Sequence, residues 1–404
     1  MRHVVPLILS ALLGTAQQDW PQFRGPDRQG HAAGEGFPLE WSETTNVAWR
    51  SAVPGRGWSS PVVSGGRVWL TTAVKSGRDT SLRLMAFDAA SGSQALDVEV
   101  FRMRGADLLN PKNSHASPTP IVDGDRVYVH FGTEGTAALS TAGEVIWKTK
   151  FYYESQHGNG GSPELSGDLL IISCDGFDQG FVVALDTRTG KTRWRTSRPE
   201  PHSQAYSTPL AIDVGGATQI VSVGAFYTVA YDPKNGKEIW RVHYDEGFSN
   251  VPRPVYGNGL VIVATGFNQP SLLAVRPDGH GDVTRTHVAW KLTRGAPLTP
   301  SPLLDADTLY VVSDNGIASS LDARTGAVRW QQRLGGSFSA SPLLAAGRVY
   351  FLDEDGRTTV LRAGGSGDRL ATNALDGATL ASMAVVSHSF LIRTATHLYR
   401  IGRE

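Results

Sequence analysis

A chain of 404 residues in which 38 Lys and Arg balance 38 Asp and Glu has no net charge to draw it to nucleic acid or to an anionic membrane, so neither is expected as its main partner. A single cysteine, Cys174, excludes an internal disulfide and any cysteine-based metal cluster. With 45 Gly and 22 Pro, the composition suits a body with many tight turns, and the length admits two ordinary domains or one large all-β fold.

The chain opens like an export signal. Arg2 supplies a positive start, residues 4–13 form an apolar run broken by Pro6 and Ser10, and Gly14-Thr15-Ala16 offers small residues for cleavage. The run is too short to span a bilayer as a helix, and no cysteine follows it to carry a lipid. The expectation is a signal peptide at 1–16, an N-terminal extension at 17–45 and a mature, monomeric chain in the periplasm or outside the cell, with no membrane span.

A lone strand, Asn46-Val47-Ala48-Trp49-Arg50, comes next, and then a unit of about 40 residues repeats, the length of a four-stranded propeller blade. The unit opens with Ser60-Pro61, Ser117-Pro118, Ser162-Pro163, Thr208-Pro209, Arg253-Pro254, Ser301-Pro302 and Ser341-Pro342, and Ser382-Met383 takes the eighth place. Proline lacks an N–H for the ladder and therefore marks a strand start or an edge. Short β-forming runs such as Val349-Tyr350-Phe351-Leu352 follow, then turns such as Asp186-Thr187-Arg188-Thr189-Gly190, and the unit closes on a tryptophan. Those are Trp147, Trp194, Trp240, Trp290 and Trp330, with Leu96 and Leu370 in the equivalent places of the first and seventh units. The eighth unit, 381–401, has room for three strands, so the Trp49 strand is expected to complete it. The predicted fold is all-β: a single eight-bladed β-propeller of four-stranded antiparallel blades over 46–404, its last blade closed by an N-terminal strand, with no open edge and no helix.

The pattern Ala-x-Asp-x-x-Thr-Gly-x-x-x-Trp, cleanest at residues 184–194, is similar to the tryptophan motif of pyrroloquinoline quinone (PQQ) repeat propellers. The start Trp20-Pro21-Gln22-Phe23-Arg24-Gly25-Pro26 resembles that of secreted bacterial proteins with PQQ-binding-like propeller repeats. The resemblance covers nearly all of the mature chain and implies the fold; it does not by itself imply a function. One branch of such proteins, the quinoprotein alcohol dehydrogenases, binds PQQ and calcium, and many members carry an adjacent cysteine pair that this chain lacks. Another, similar to the propeller lipoprotein of the outer-membrane β-barrel assembly machinery, binds no quinone and serves as a scaffold. The length fits the second better, although its lipid-anchor cysteine is missing here.

The loops before the opening pairs, and the turns between second and third strands, are expected to share the face that carries the channel mouth. They are rich in His, Asn and aromatic residues, and converging polar groups at an apolar-walled mouth are the default ligand site. The candidate ligand-binding residues are Trp58, His115, His157, Asn159, His202, Tyr206, Asn250 and Arg253. His115, His157 and His202 come from consecutive blades, yet their separations define no metal motif and no metal is expected. Acids in the second-to-third strand turns (Glu134, Asp175, Asp178, Asp314, Glu354 and Asp355) have the ordinary role of turn residues, and the basic stretch 101–112 is a candidate cover for the mouth or grip for an anion. Serine-hydrolase, phosphate-loop and zinc-protease motifs are absent from the sequence. The expected function is therefore a binding or scaffold module, with no cofactor predicted and an envelope protein, peptide or glycan as partner. Two activities stay open beside it: a PQQ- and calcium-dependent alcohol or sugar dehydrogenase, and a hydrolase or lyase built on His157 and His202.

Overall fold

Apolar runs of strand length between Asp- and Gly-rich turns fold as four-stranded antiparallel sheets in the computed structural model, which describes residues 19–105, 109–245 and 247–402. The signal peptide expected at 1–16 lies outside the described residues. Eight sheets form a ring as blades. Blade 1 runs Val62–Ser64, Arg67–Ser76, Asp79–Asp88 and Gln94–Met103 from the axis outward, and the same order repeats around the ring. Blade 8 takes Ala384–Val386, Ser389–Arg393 and His397–Ile401 from the C-terminal end, and Val47–Ala52 from the N-terminal end adds the outer strand with Trp49 opposite Arg400. The ring is thus closed by the strand that the sequence singles out. Among the described residues the one helical turn is Gly132–Glu134, and no helix is long and apolar enough to cross a membrane.

The middle strands are continuously apolar because both of their faces are buried between blades. In Arg348–Leu352 of blade 7, Val349 and Phe351 pack into the seam with blade 6, while Tyr350 and Leu352 pack into the seam toward blade 8. The period of two along a strand sends alternate residues to opposite seams.

The tryptophans lock the seams. In every blade the outer strand slips register by one residue just before this position, which turns the side chain toward the next blade. The Trp147 indole N–H donates to Thr187 O at 2.9 Å, Trp194 to Pro233 O at 2.8 Å, Trp290 to Ala323 O at 3.1 Å and Trp49 to Ala89 O at 3.0 Å, each acceptor lying in the following blade. The ring of Trp147 also lies against Gly190, where a Cβ would come within 2.5 Å of the indole. The repeated turn therefore needs glycine twice over, for its positive φ and for the indole on top of it. Trp240 departs from the pattern. It donates to Gln219 Oε1 within its own blade at 2.8 Å, and Gly281–Asp282 from blade 5 clasps the outer strand of blade 4 in parallel instead.

Two positions of the repeat need correction. In blade 2 the residue two before the inner strand Ile121–Asp123 is Thr119, so the opening pair is Thr119-Pro120 and not Ser117-Pro118. In blade 7 Ala371 stands opposite Val360, in register with the tryptophans, so Ala371 and not Leu370 takes their place. Both errors have one cause: a neighbour of better-matching chemistry lies one or two residues away.

Residues 19–45 are built into the body. Trp20 pairs with Val63 of blade 1, and Pro21 accepts from Val122 N of blade 2 at 2.8 Å. The segment then crosses the axis beneath the blades to His31–Ala32, which pairs in parallel with the inner strand of blade 7. Phe37 and Trp41 continue into the seam of blades 7 and 8, Phe37 stacking on Phe390 with ring centroids 5.2 Å apart. Trp20, Phe37 and Trp41 fuse the seams on either side of blade 8 into one buried cluster.

Candidate functional site

The residue two before each inner strand points its backbone N–H at the side chain of its counterpart in the next blade. Ser60 N donates to Thr119 Oγ1, Thr119 N to Ser162 Oγ, Ser162 N to Thr208 Oγ1, Arg253 N to Ser301 Oγ, Ser301 N to Ser341 Oγ, Ser341 N to Ser382 Oγ and Ser382 N to Ser60 Oγ, all at 2.9–3.1 Å. Seven links thus make a collar around the axis, each worth about 1 kcal/mol as a net contribution. The missing step is Thr208 to Arg253, because arginine has no hydroxyl to accept with. Each of the seven hydroxyls uses a lone pair as acceptor, and none donates its proton to a protein acceptor among the described residues.

Above the collar lies a cavity of about 660 Å³ that the mouth loops enclose, within the size range of small-molecule and peptide-end sites. The seven collar residues face it, and Phe23 from the crossing segment sits at its base, so the bottom of the channel is plugged. Trp58, Tyr206, Phe248 and Phe267 form its aromatic walls. Phe226, Phe248 and Phe267 make a rim chain with centroids 6.3 and 6.0 Å apart, and Phe267 is 62% exposed. Phe226 holds a φ of +64°, strained for an aromatic residue.

Of the eight candidate residues, Trp58, His157 and Tyr206 line this cavity. Asn159 stands one shell back: its carbonyl and that of His157 accept from Asn113 Nδ2 at 3.4 and 2.7 Å. His115 is half-buried away from the lining. His202 stands beside the buried Asp175–Arg198 pair. Asn250 is a buried clip, its amide donating to Gly224 O at 2.7 Å and to the Tyr244 hydroxyl at 3.2 Å. Arg253 lies beneath the collar, donating to Phe23 O at 2.9 Å and to Glu164 Oε2 at 2.6 Å. The histidines are therefore dispersed, and no three of His, Cys, Asp and Glu among the described residues gather to hold a metal ion.

The turn acids have separate duties. Asp314 faces the cavity while its Oδ2 accepts from Leu298 N at 2.7 Å, and Glu354 pairs with Lys112 Nζ at 2.7 Å. That pair ties Lys112, at the end of the basic stretch, to blade 7, and Asn110 and Lys112 both stand on the lining. Arg102 points elsewhere, paired with Glu99 at 2.7 Å on the outer strand.

Sequence reasoning missed Phe23 and Phe267. Phe23 is placed by a chain crossing that no local pattern encodes. Phe267 had a signal: Gly266-Phe267-Asn268 occupies the turn that reads Asp314-Asn315-Gly316 one blade on, and a bulky aromatic there has no structural need.

The electrostatics around the collar are lopsided. Glu164 is shared by Arg253 and by Arg28, whose Nε is 3.0 Å from Oε1. Arg24 is buried and donates to backbone carbonyls, Ser301 O at 3.2 Å and Gln29 O, while the Asp27 carboxylate acts on its charge from beyond ion-pair distance. Arg393 is buried too, donating to Ser59 O at 3.1 Å, Ser59 Oγ at 2.7 Å and Thr71 O at 2.9 Å. Burial pushes both guanidinium groups down to about 9, so they stay charged at neutral pH.

A ring of tryptophan-locked sheets with a blind axial mouth defines a PQQ-type repeat β-propeller. The family model described as outer membrane protein assembly factor BamB matches residues 35–160 and 281–388, more than half of the chain, and the chain belongs to that family. It is 29% identical over 206 residues to the outer membrane protein assembly factor BamB of Alteromonas naphthalenivorans, which covers 46% of this chain and 47% of the relative. It is 25% identical over 178 residues to methanol dehydrogenase (cytochrome c) subunit 1 of Paracoccus denitrificans, over 34% of this chain and 26% of that one. The chain thus spans about half or less of these relatives' lengths. The crystal structure of BamB from Moraxella catarrhalis superposes with a TM-score of 0.59 at 14% identity, covering 87% of this chain and 98% of that one, a likeness of fold.

Proposed function

We propose that this propeller is a non-catalytic binding or scaffold module of the cell envelope, working through its channel mouth. One observation carries the reading: the axial cavity is plugged at its base by Phe23, walled by aromatic side chains from several blades and floored by hydroxyls. An envelope protein or peptide inserting a segment there would bury apolar surface against Phe248 and Phe267. The family supports the envelope setting, since its relatives are described as outer membrane protein assembly factors. Trp58, His157 and Tyr206 are the candidate residues that contact the partner.

The quinone alternative has less behind it. PQQ pairs with calcium, a cation that needs several oxygen ligands gathered in one place. No cluster of carboxylates offers calcium a site among the described residues.

The test is comparative capture from envelope extract with the immobilised chain. Phe267→Ser at the mouth is expected to abolish recovery of a specific partner, and Val328→Ser on an outer strand to leave it intact. Equal capture by the mouth variant would overturn the reading.

A further inference from the structure

The donors at the base of the mouth have no matching acceptor, and this reaches beyond the binding role to the chemistry of what is bound. Seven hydroxyl protons circle the axis without a protein acceptor among the described residues. Two buried guanidinium groups flank them: Arg24 hangs from the carbonyl of the collar residue Ser301, and Arg393 holds Ser59, the neighbour of the collar residue Ser60. Among the described residues neither has a carboxylate within ion-pair distance, Asp27 acting on Arg24 only from farther off, although buried charges are ordinarily paired. Hydroxyls free to donate, with two buried guanidinium groups behind them that have no close carboxylate among the described residues, create a positive potential at the cavity base. Higher up the surroundings change. Asp314 contributes a carboxylate at the rim, and the walls are Phe248, Phe267 and Tyr206.

We infer that the mouth cavity binds a carboxylate carried on an apolar body, the carboxylate on the collar and the body against the aromatic wall. The inference rests on the proposed mouth-binding role and names the ligand chemistry for that site. A free organic acid and the C-terminal end of a peptide share this chemistry. The cavity volume of about 660 Å³ accommodates either.

Isothermal titration of the full chain tests it with two matched pairs: 4-phenylbutyrate against 4-phenylbutyramide, and N-acetyl-glycyl-leucine against its C-terminal amide. In at least one pair the acid is expected to bind roughly tenfold or more tightly than the amide, as for a charge-assisted hydrogen-bond set. Preference in the first pair alone identifies a free acid, and in the second alone a peptide end. Arg24→Met and Arg393→Met should each weaken the acid and leave the amide unchanged; thermal melts of both variants check that they fold. The wild-type comparison needs no variant and decides the matter by itself. Equal affinity of acid and amide in both pairs, or no heat from any of the four at about 10 mM, would overturn the inference. If the acids fail while Phe267→Ser still abolishes partner capture, the carboxylate is wrong and the mouth role stands. If Phe267→Ser also leaves capture intact, the mouth role falls with it.

Discussion

Arg253 is the residue at which the collar gives up a hydroxyl, and in exchange a cation enters the bottom of the channel. Its guanidinium holds Glu164 from blade 3 and the Phe23 carbonyl of the crossing segment. Arg253→Ser removes the fully buried one of Glu164's two cationic partners and leaves Arg28 at 3.0 Å, so it is expected to lower the unfolding free energy by about 3 kcal/mol, the lower end for breaking a buried pair. Arg253→Ser combined with Glu164→Gln should recover a large part of that loss in urea titrations. A double variant no more stable than the single one would show that the pair is not coupled. His130 behaves differently. It is fully buried, its Nδ1 meets Thr136 Oγ1 at 2.8 Å, and burial pushes its pKa from 6.5 down to about 3. The folded imidazole stays neutral where the unfolded one takes a proton. Its stabilisation is therefore complete above pH 6.5 and is lost as pH falls toward 3, at about 1.4 kcal/mol per unit. His130→Gln should flatten the pH dependence of unfolding between pH 6 and 4 by close to one proton, and an unchanged slope would contradict this. At this scale the sequence was legible in part. Ser and Thr at the opening pairs were visible, but their hydrogen bonds were not, since donor and acceptor lie in different blades.

At the scale of elements, the outer strand and the turn of the next blade form one unit. Gly190 and Gly167 both hold positive φ, at +68° and +60°, but only Gly190 lies under an indole. Backbone strain is then common to Gly190→Ala and Gly167→Ala, and the excess in the first measures the Trp147 contact. Gly190→Ala should lose about 1–3 kcal/mol more than Gly167→Ala in paired thermal melts. Equal losses would mean that the indole does not grip the turn. Strand order and the Asp-to-Gly turns could be read directly, because each is a local pattern with a period of two or a fixed offset. The registers of blades 2 and 7 could not: Ser117-Pro118 and Leu370 match the repeat in residue type, and pairing partners alone distinguish them from Thr119-Pro120 and Ala371.

For the whole molecule, closure depends on the N-terminal stretch twice. Val47–Ala52 finishes blade 8, as its lone tryptophan foretold. Residues 19–45, which the sequence offers only as an extension, plug the axis and bury Trp20, Phe37 and Trp41 where two seams meet. Nothing local marks that role, since the segment lies outside the repeat and its partners are spread over most of the blades. Three buried aromatics at about 3–5 kcal/mol each approach the entire stability of a domain, so a chain beginning at residue 46 is expected to lose its near-ultraviolet circular dichroism and cooperative melt. Retention of both would show the plug to be dispensable.

The central claim is that the mouth, and not the outer circumference, meets the partner. Photo-crosslinking from the envelope tests it most directly, with p-benzoylphenylalanine placed at Phe267 on the rim or at Val145 on the outer strand of blade 2, both exposed. A discrete adduct from position 267 and none from position 145 is the predicted result. Adducts from position 145 alone would contradict the account.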